Sequence, residues 1–111
     1  MYYSWVEINL NALRANIARV RETLTPHCQL LLPLKANAYG HGLEVIAKAA
    51  AEFGVEWLGL ATLREALEIK AYVPESKILV LGPCEPDDVK ALFVHHIRPI
   101  IVDLENARQM N

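Results

Sequence analysis

The residues best suited to chemistry lie in one short segment, residues 34–42, with the sequence LKANAYGHG. Lys35 follows an apolar run typical of a buried parallel strand, and sites in α/β sheets and barrels lie at the carboxyl ends of such strands. Apolar neighbours would partly desolvate the amine and disfavour its charged form, and a neutral amine can form a Schiff base with an aldehyde. The glycines around His41 lead into a predicted helix whose N-terminus favours an anion. With Tyr39 nearby, the segment predicts a site for an aldehyde cofactor that carries a phosphate. The alternative is an ordinary strand-end lysine before a glycine-rich loop.

Four short apolar runs predict the strands that must position this segment. None of the runs alternates apolar with polar residues, so each strand is expected to be buried on both faces, as in a parallel sheet. Pro33 conflicts with the first run because its missing N–H would break a ladder bond, so we expect a bulge or an early strand end just before Lys35. The predicted strands span residues 29–34, 56–61, 77–81 and 98–102.

Segments with helical spacing separate these strands, and most of them begin with a recognisable cap. Asn9 or Asn11 precedes an apolar stripe that continues to Leu24. Thr62 and Glu65 predict a capping box at the start of a third helix. The other predicted helices are a second stripe from Leu43 to Phe53 closed by Gly54, a fourth helix that begins at Glu85-Pro86 and carries His95 and His96 in its last turn, and a fifth helix capped by Asp103.

The alternation of strands and helices predicts βαβ units with right-handed crossovers and a parallel sheet. We therefore predict an α/β fold, and specifically the N-terminal half of a (β/α)8 TIM-type barrel, since a full barrel takes about 250 residues. Residues 109–111 stop inside a helical pattern, so the sequence is expected to be a fragment of something larger. Residues 1–111 would then form one half barrel with open strand edges.

Composition and charge exclude several classes of protein. The chain has 111 residues, of which 53% are hydrophobic, which suffices for one compact domain and excludes disorder. A formal net charge of −2 and the lack of a basic run argue against a nucleic-acid partner. No apolar stretch approaches the ~20 residues of a membrane span, and the N-terminus lacks signal-peptide features, so a cytoplasmic location is expected. Cys28 and Cys84 fit no metal or redox spacing.

The run from Lys35 to Gly42 (KANAYGHG) resembles the lysine motif of alanine racemase, a family of fold-type III enzymes that depend on pyridoxal 5′-phosphate (PLP). Three further segments resemble the same family: WVEINL at residues 5–10, GLA at 59–61 and ILVLG at 78–82. The resemblance covers essentially the whole chain in unbroken order. An eight-residue motif between a strand and a helix is a specific signal.

The resemblance implies roles for three residues. Lys35 would hold PLP covalently and, once released by the substrate, would exchange the α-proton on the D-alanine side. The Tyr39 hydroxyl would contact the cofactor phosphate. Leu81 would pack near the pyridine ring, with ordinary barrel packing as the alternative. The implied reaction is the interconversion of L- and D-alanine, which in bacteria supplies cell-wall (peptidoglycan) synthesis.

The resemblance also implies an assembly larger than this chain. Family enzymes are homodimers of a barrel and a C-terminal β-domain, and residues 1–10 would be a strand that pairs with that domain. The opposite-face base is a tyrosine of the partner subunit, and most phosphate ligands come from later strands, so residues 1–111 alone are expected to be inactive. Three alternatives remain: a non-catalytic PLP-binding barrel, a racemase for another amino acid, and an inert structural fragment.

Several other side chains have plainer interpretations. His41 is expected to structure its loop, and Cys84 is expected to be a free thiol in a loop near the barrel mouth. His95 and His96 are adjacent and point to different sides of a helix, so they cannot share a metal. The remaining predictions are partners of the helix dipole at Asp87 and Asp88 and packing anchors at Trp5 and Trp57.

Overall fold

A computed structural model describes residues 4–111 and shows short strands alternating with helices. Residues 1–3 of the predicted N-terminal strand lie outside the described residues, residues 4–9 form no regular element, and Leu10 already begins the first helix. The helices are α1 (Leu10–Glu22), α2 (Lys35–Tyr39), α3 (Leu43–Glu52), α4 (Leu63–Tyr72), α5 (Val89–Val94) and α6 (Leu104–Met110). The strands are β1 (Leu31–Pro33), β2 (Trp57–Leu60), β3 (Lys77–Val80) and β4 (Ile97–Pro99), and a 3-10 turn (Pro86–Asp88) precedes α5.

The four strands form one parallel sheet in the order β1-β2-β3-β4, which confirms the predicted α/β architecture. In the sheet register, Leu58 of β2 lies between Leu32 of β1 and Ile78 of β3, and Ile78 pairs with Ile97 of β4. Every strand ends before its apolar run does. The last strand begins one residue earlier than predicted and ends at Pro99, which cannot donate a ladder bond.

Pro33 lies at the last position of β1, where its missing N–H costs no ladder bond. The Leu30 carbonyl accepts from Trp57 N–H at 3.1 Å, and Leu34 N–H donates to the Gly59 carbonyl at 2.7 Å. Because backbone groups alternate in direction along a strand, these even-numbered positions face β2 and the Pro33 nitrogen faces away from it. The predicted early strand end is confirmed, and no bulge is needed.

The helices cover one face of the sheet. Right-handed crossovers between strands in sequential order place the connecting helices on the same side, and Ile17 of α1 and Met110 of α6 pack against the same core. Side chains at alternate positions of β2 and β3 reach this side and are fully buried, and helix residues pack against them. The central residues of this core are Leu58, Leu60, Ile78 and Val80 from the strands, Ala47 and Ala50 from α3, and Ala66 and Ile69 from α4.

The other face of the sheet is not covered by residues 4–111. Leu31 and Leu79 are half-buried there, while Lys77 and Arg98 are exposed. Trp57 shares this face, where the Lys77 Nζ lies 5.4 Å and the Arg98 Cζ 4.9 Å from its ring centroid. The prediction that each strand is buried on both faces is therefore wrong for this chain, because all of its helices pack on one side.

Side-chain caps begin three of the helices as the sequence predicts. Asn9 Oδ1 accepts from Ala12 N–H at 3.0 Å, and the Asp103 carboxylate accepts from the N–H of Asn106 at 2.7 Å. Thr62 caps α4 by accepting from Glu65 N–H at 3.2 Å. The capping box there differs from the predicted one, because the carboxylate of Glu65 accepts from the N–H of Ala61, at 2.9 Å, and so reaches one residue further back.

Glu56 joins α1 to the amino-terminal ends of β1 and β2. Its carboxylate accepts two hydrogen bonds from the Arg21 guanidinium, at 2.9 and 3.0 Å, and one from Leu30 N–H at 2.9 Å. Arg21 also donates to the Gly54 carbonyl. The Arg21 hydrogen bond, followed by that from Leu30, lowers the pKa of Glu56 from its usual 4.5 to about 2. The same hydrogen bond raises the pKa of Arg21.

The lowered pKa of Glu56 predicts acid-sensitive stability. The unfolded chain takes up this proton at higher pH than the folded chain, so the contribution is complete above about pH 4.5 and is lost as the pH falls towards 2. Glu56→Gln should therefore lower the free energy of unfolding at pH 7, and its difference from wild type should shrink between pH 4.5 and 2. Denaturant titrations at several pH values measure this. Glu44→Gln, which removes the exposed Lys48–Glu44 pair, is the control, and equal differences at all pH values would contradict the assignment.

Gly82 lets the loop after β3 approach the end of β2. Its N–H donates to the Ala61 carbonyl at 3.1 Å, and a Cβ on Gly82 would clash with that same oxygen. Gly59 is a contrasting case, because a Cβ there would meet only the terminal methyl groups of Leu31 and Leu81, each at 2.9 Å. Backbone atoms cannot move aside as side-chain ends can, so Gly82 is the stricter requirement.

Alanine substitutions at the two glycines should therefore differ in cost. Gly82→Ala should lower the free energy of unfolding by about 2 kcal/mol, within the range for overpacking a tight site. Gly59→Ala should cost clearly less, because leucine methyl groups can shift and the unfolded chain loses entropy. Denaturant unfolding of both variants beside wild type makes the comparison. A Gly59→Ala variant that is as unstable as Gly82→Ala would contradict it.

Candidate functional site

Lys35 lies directly after β1, at the carboxyl end of the sheet, as the sequence predicts. It is the first residue of α2, and its side chain is exposed. The expected desolvation by apolar neighbours is therefore wrong for this chain. Leu34, the residue before it, turns into the helix-covered core and is almost fully buried.

Residues 36–39 of α2 form a left-handed turn rather than a regular α-helix. Ala36, Asn37, Ala38 and Tyr39 have φ values of 53, 55, 54 and 55°. For residues other than glycine this conformation costs roughly 1–2 kcal/mol each, although Asn tolerates it better than most. Strain of this kind persists only where surrounding contacts hold it, and it concentrates at functional sites. The turn therefore marks the segment after Lys35 as the strained part of the fold.

Hydrogen bonds and burial hold this turn in place. Ala38 is buried in the core, and its N–H donates to the Leu34 carbonyl at 2.9 Å. The Asn37 carbonyl accepts from the N–H groups of Gly40 and Gly42, at 3.2 and 3.1 Å. His41 Nδ1 lies 2.9 Å from the Ala38 carbonyl oxygen. This contact supports the predicted role of His41 in structuring the loop.

Leu81 lies at the carboxyl end of the sheet, as Lys35 does. It follows β3, and its N–H donates to the Leu60 carbonyl at 2.7 Å. Its side chain lies against Gly59 of β2, with Leu81 Cδ1 at 2.9 Å from the position of a Cβ on that glycine. Gly59 of β2 pairs with Pro33 of β1, so β2 separates Lys35, which follows β1, from Leu81, which follows β3. Ordinary strand spacing puts the backbones of the two residues about 10 Å apart.

Tyr39 lies on the helix side of the turn and is 57% exposed. With His41 it lines a cavity of about 360 Å³ between the turn, α1 and the segment that precedes α1. The other lining residues include Glu7, Asn9, Asn16, Leu32 and Ile46. Across residues 4–111, neither the Lys35 amine nor the Tyr39 hydroxyl has a hydrogen-bond partner, so both groups remain available to a ligand.

Cys84 is a free thiol in the loop after β3, as predicted, but it is buried. It packs in the core on the helix-covered side of the sheet. Burial, followed by the nearby carboxylates of Asp88 and Glu85, raises the pKa of this thiol. Cys84 is therefore a packing residue, and a poor nucleophile.

The remaining sequence predictions have mixed outcomes. His95 and His96 lie just beyond α5, with His95 as the C-cap and His96 at a φ of 54°, so the predicted last-turn position is wrong by one or two residues. Asp88 accepts from Glu85 N–H at 2.8 Å at the start of the 3-10 turn. Trp5 is 76% exposed and so is not a packing anchor. Among residues 4–111, no cluster of metal-ligating side chains occurs.

Asn37 is the residue of this site that the sequence reasoning missed. Its side-chain Oδ1 accepts a hydrogen bond from Leu43 N–H at 2.8 Å. The available signal was an Asn a few residues before a helix whose N-cap position is a glycine. Such a helix needs an acceptor from elsewhere in the chain.

Comparison with known proteins identifies related chains. The family model described as alanine racemase, N-terminal domain, matches residues 8–111. The alanine racemase of Symbiobacterium thermophilum is 36% identical over 108 residues, which are 97% of this chain and 28% of that protein.

No helix within residues 4–111 is both long enough and apolar enough to span a membrane.

Solved structures show the same relationship. An alanine racemase from Clostridium difficile 630 has a TM-score of 0.88 at 28% identity, covering 99% of this chain and 29% of that one. The alanine racemase of Bartonella henselae, solved with covalently bound pyridoxal phosphate, has a TM-score of 0.81 at 27% identity, covering 91% of this chain and 28% of that one. The α/β architecture thus matches the N-terminal half of the racemase barrel, and the chain spans just under a third of these relatives.

The burial of Cys84 predicts unequal thiol reactivity. Cys28 is exposed and Cys84 is buried, so Cys84 in the folded chain should react with iodoacetamide at least about tenfold more slowly than Cys28. Mass spectrometry of tryptic peptides over time measures both rates. In guanidinium chloride the two rates should converge, which is the control. Similar rates in the folded chain would show that Cys84 is accessible.

Proposed function

Because the chain belongs to the family of alanine racemase N-terminal domains, we propose that it supplies the cofactor-lysine part of a PLP-dependent alanine racemase. The observation that carries the proposal is the placement of Lys35: an exposed amine at the carboxyl end of β1, followed by a strained left-handed turn. In barrels of this class, residues at the carboxyl ends of strands perform the chemistry. The proposed reaction is the interconversion of L- and D-alanine in the cytoplasm, which provides D-alanine for peptidoglycan.

The residues present fit PLP in kind. The exposed Lys35 amine can bind an aldehyde, and the free Tyr39 hydroxyl can donate to a phosphate oxygen. Leu81 presents an apolar surface, held over Gly59, against which a pyridine ring could pack. When bound, PLP supplies an electron sink for the α-carbon of an amino acid. We assign cofactor binding to Lys35, Tyr39 and Leu81.

Lys35 would have a second role as a base. Its Nζ, once freed by the incoming amino acid, would take and return the α-proton on the D-alanine side. An exposed side chain anchored at a rigid strand end suits this role, because the Nζ can move while its Cα stays fixed by β1 and the turn. Leu81 would help to exclude water from one side of the site.

The opposite face of the substrate needs its own proton donor. We assign that proton donor and the remaining phosphate ligands to parts of the enzyme outside residues 1–111. The active enzyme would be a homodimer. The 111-residue chain alone should therefore bind the cofactor without racemising alanine.

Cofactor attachment tests the assignment of Lys35 directly. The chain is incubated with PLP, reduced with borohydride, digested and mapped by mass spectrometry. Most of the label should lie on Lys35, with several-fold less on Lys48, Lys70, Lys77 and Lys90. Lys35→Arg should lose the dominant label, whereas the matched surface variant Lys48→Arg should retain it.

Three results would count against the proposal. Label spread evenly over the lysines would mean that Lys35 has no special environment. Conversion of L- to D-alanine by the 111-residue chain itself would mean that the second base lies within it. If a complete enzyme carrying this segment binds PLP at Lys35 without turnover, the non-catalytic barrel replaces the racemase.

A further inference from the structure

Asn37 connects the turn after Lys35 to helix α3 through three hydrogen bonds. Its carbonyl oxygen accepts from Gly40 and Gly42, and its side-chain Oδ1 accepts from Leu43 N–H at 2.8 Å. The side-chain bond spans six positions in the sequence. Asn37, within the turn, is therefore hydrogen-bonded to Gly42 and Leu43 at the end of the loop.

The side-chain bond replaces a missing helix cap. Leu43 is the first residue of α3, and the N-cap residue Gly42 has no side chain that could accept from any N–H of the first turn. The first N–H groups of a helix lack intrahelical partners, and an N-cap Ser, Thr, Asp or Asn ordinarily accepts from that of the second or third helical residue. In this chain the acceptor comes from Asn37, on the far side of the left-handed turn.

Asn is suited to both tasks at this position. Its φ of 55° lies in the left-handed region, which Asn and Asp enter more readily than other non-glycine residues because their short side chains can hydrogen-bond locally. Ala36 and Ala38, on either side, share the conformation but have no polar side chain. Only Asn37 can both adopt the turn and cap α3 across it.

We propose that Asn37 is a positioning residue for Lys35 and Tyr39, an inference that rests on the proposed cofactor role of Lys35. Asn37 lies two residues after Lys35 and two before Tyr39, and it acts through the backbone between them. With the cap in place, the left-handed turn holds both side chains at fixed points relative to β1. Without it, the turn relaxes to an ordinary backbone conformation, and the amine and the phenol lose their common placement.

Two variants and one control separate positioning from general stability. Asn37→Ala removes the acceptor. Asn37→Asp keeps an oxygen acceptor at the same place and also tolerates the left-handed conformation. Asn11→Ala changes an exposed asparagine on α1 that does not line the cavity beside Tyr39, and it serves as the control. Far-UV circular dichroism verifies that each chain is folded.

The first measurement is amide hydrogen exchange at Leu43, which needs no cofactor. Loss of the cap should speed this exchange at least tenfold in Asn37→Ala, while Asn37→Asp and Asn11→Ala should match wild type. Unchanged exchange in Asn37→Ala would overturn the capping role. The second measurement is the fraction of PLP label on Lys35 after borohydride reduction. It should fall at least fivefold in Asn37→Ala and recover in Asn37→Asp.

The outcomes distinguish this inference from the proposed function. If wild type carries the label on Lys35 and Asn37→Ala carries as much, positioning by Asn37 is overturned and the function stands. If wild type itself lacks label on Lys35, the proposed cofactor role fails, and positioning for that role fails with it. Exchange at Leu43 then still decides whether Asn37 caps α3. Failure of Asn37→Asp to restore the label, with exchange protected, would also reject the positioning role.

Discussion

The structure depends on burying one face of a parallel sheet under helices that all lie on the same side. Leu58, Leu60, Ile78 and Val80 are fully removed from water on that side, and burial of such side chains contributes about 1.5–3 kcal/mol each. Sequential strand order with right-handed crossovers leaves no other place for the helices. The face that residues 4–111 leave uncovered follows from the same constraint.

That constraint also determines where the candidate site lies. The strands run in parallel, so their carboxyl ends lie at the same end of the sheet. The residues that follow the strands are therefore neighbours there. Lys35 and Leu81 lie at this end for the same reason, because Lys35 follows β1 and Leu81 follows β3. Gly59 leaves room for the side chain of Leu81, and Gly82 lets the loop after β3 approach the end of β2.

The two ends of the sheet differ in physical character. At the amino ends, Glu56 is fully engaged with Arg21 and Leu30, and this network serves stability. At the carboxyl ends, Lys35 and Tyr39 have no hydrogen-bond partner within residues 4–111, and the backbone between them is strained. In barrel folds the chemistry lies at the carboxyl ends of the strands. Polar groups without hydrogen-bond partners are expected at that end, and fully hydrogen-bonded groups that stabilise the fold are expected at the other.

Features that depend on neighbouring residues could be predicted from the sequence. The alternation of apolar runs with helical stripes predicted the parallel sheet, and Asn9, Thr62 and Asp103 were recognisable as caps because each one bonds three residues ahead. Lys35 could be singled out because its motif lies within one unbroken segment. Tertiary structure decided what depends on distant contacts: the exposure of Lys35 and Trp5, the burial of Cys84, and the single covered face of the sheet. The left-handed turn belongs to the second group, since isolated alanines disfavour it. The packing of Ala38, the bond from Leu43 to Asn37 and the backbone hydrogen bonds of the turn hold it in place.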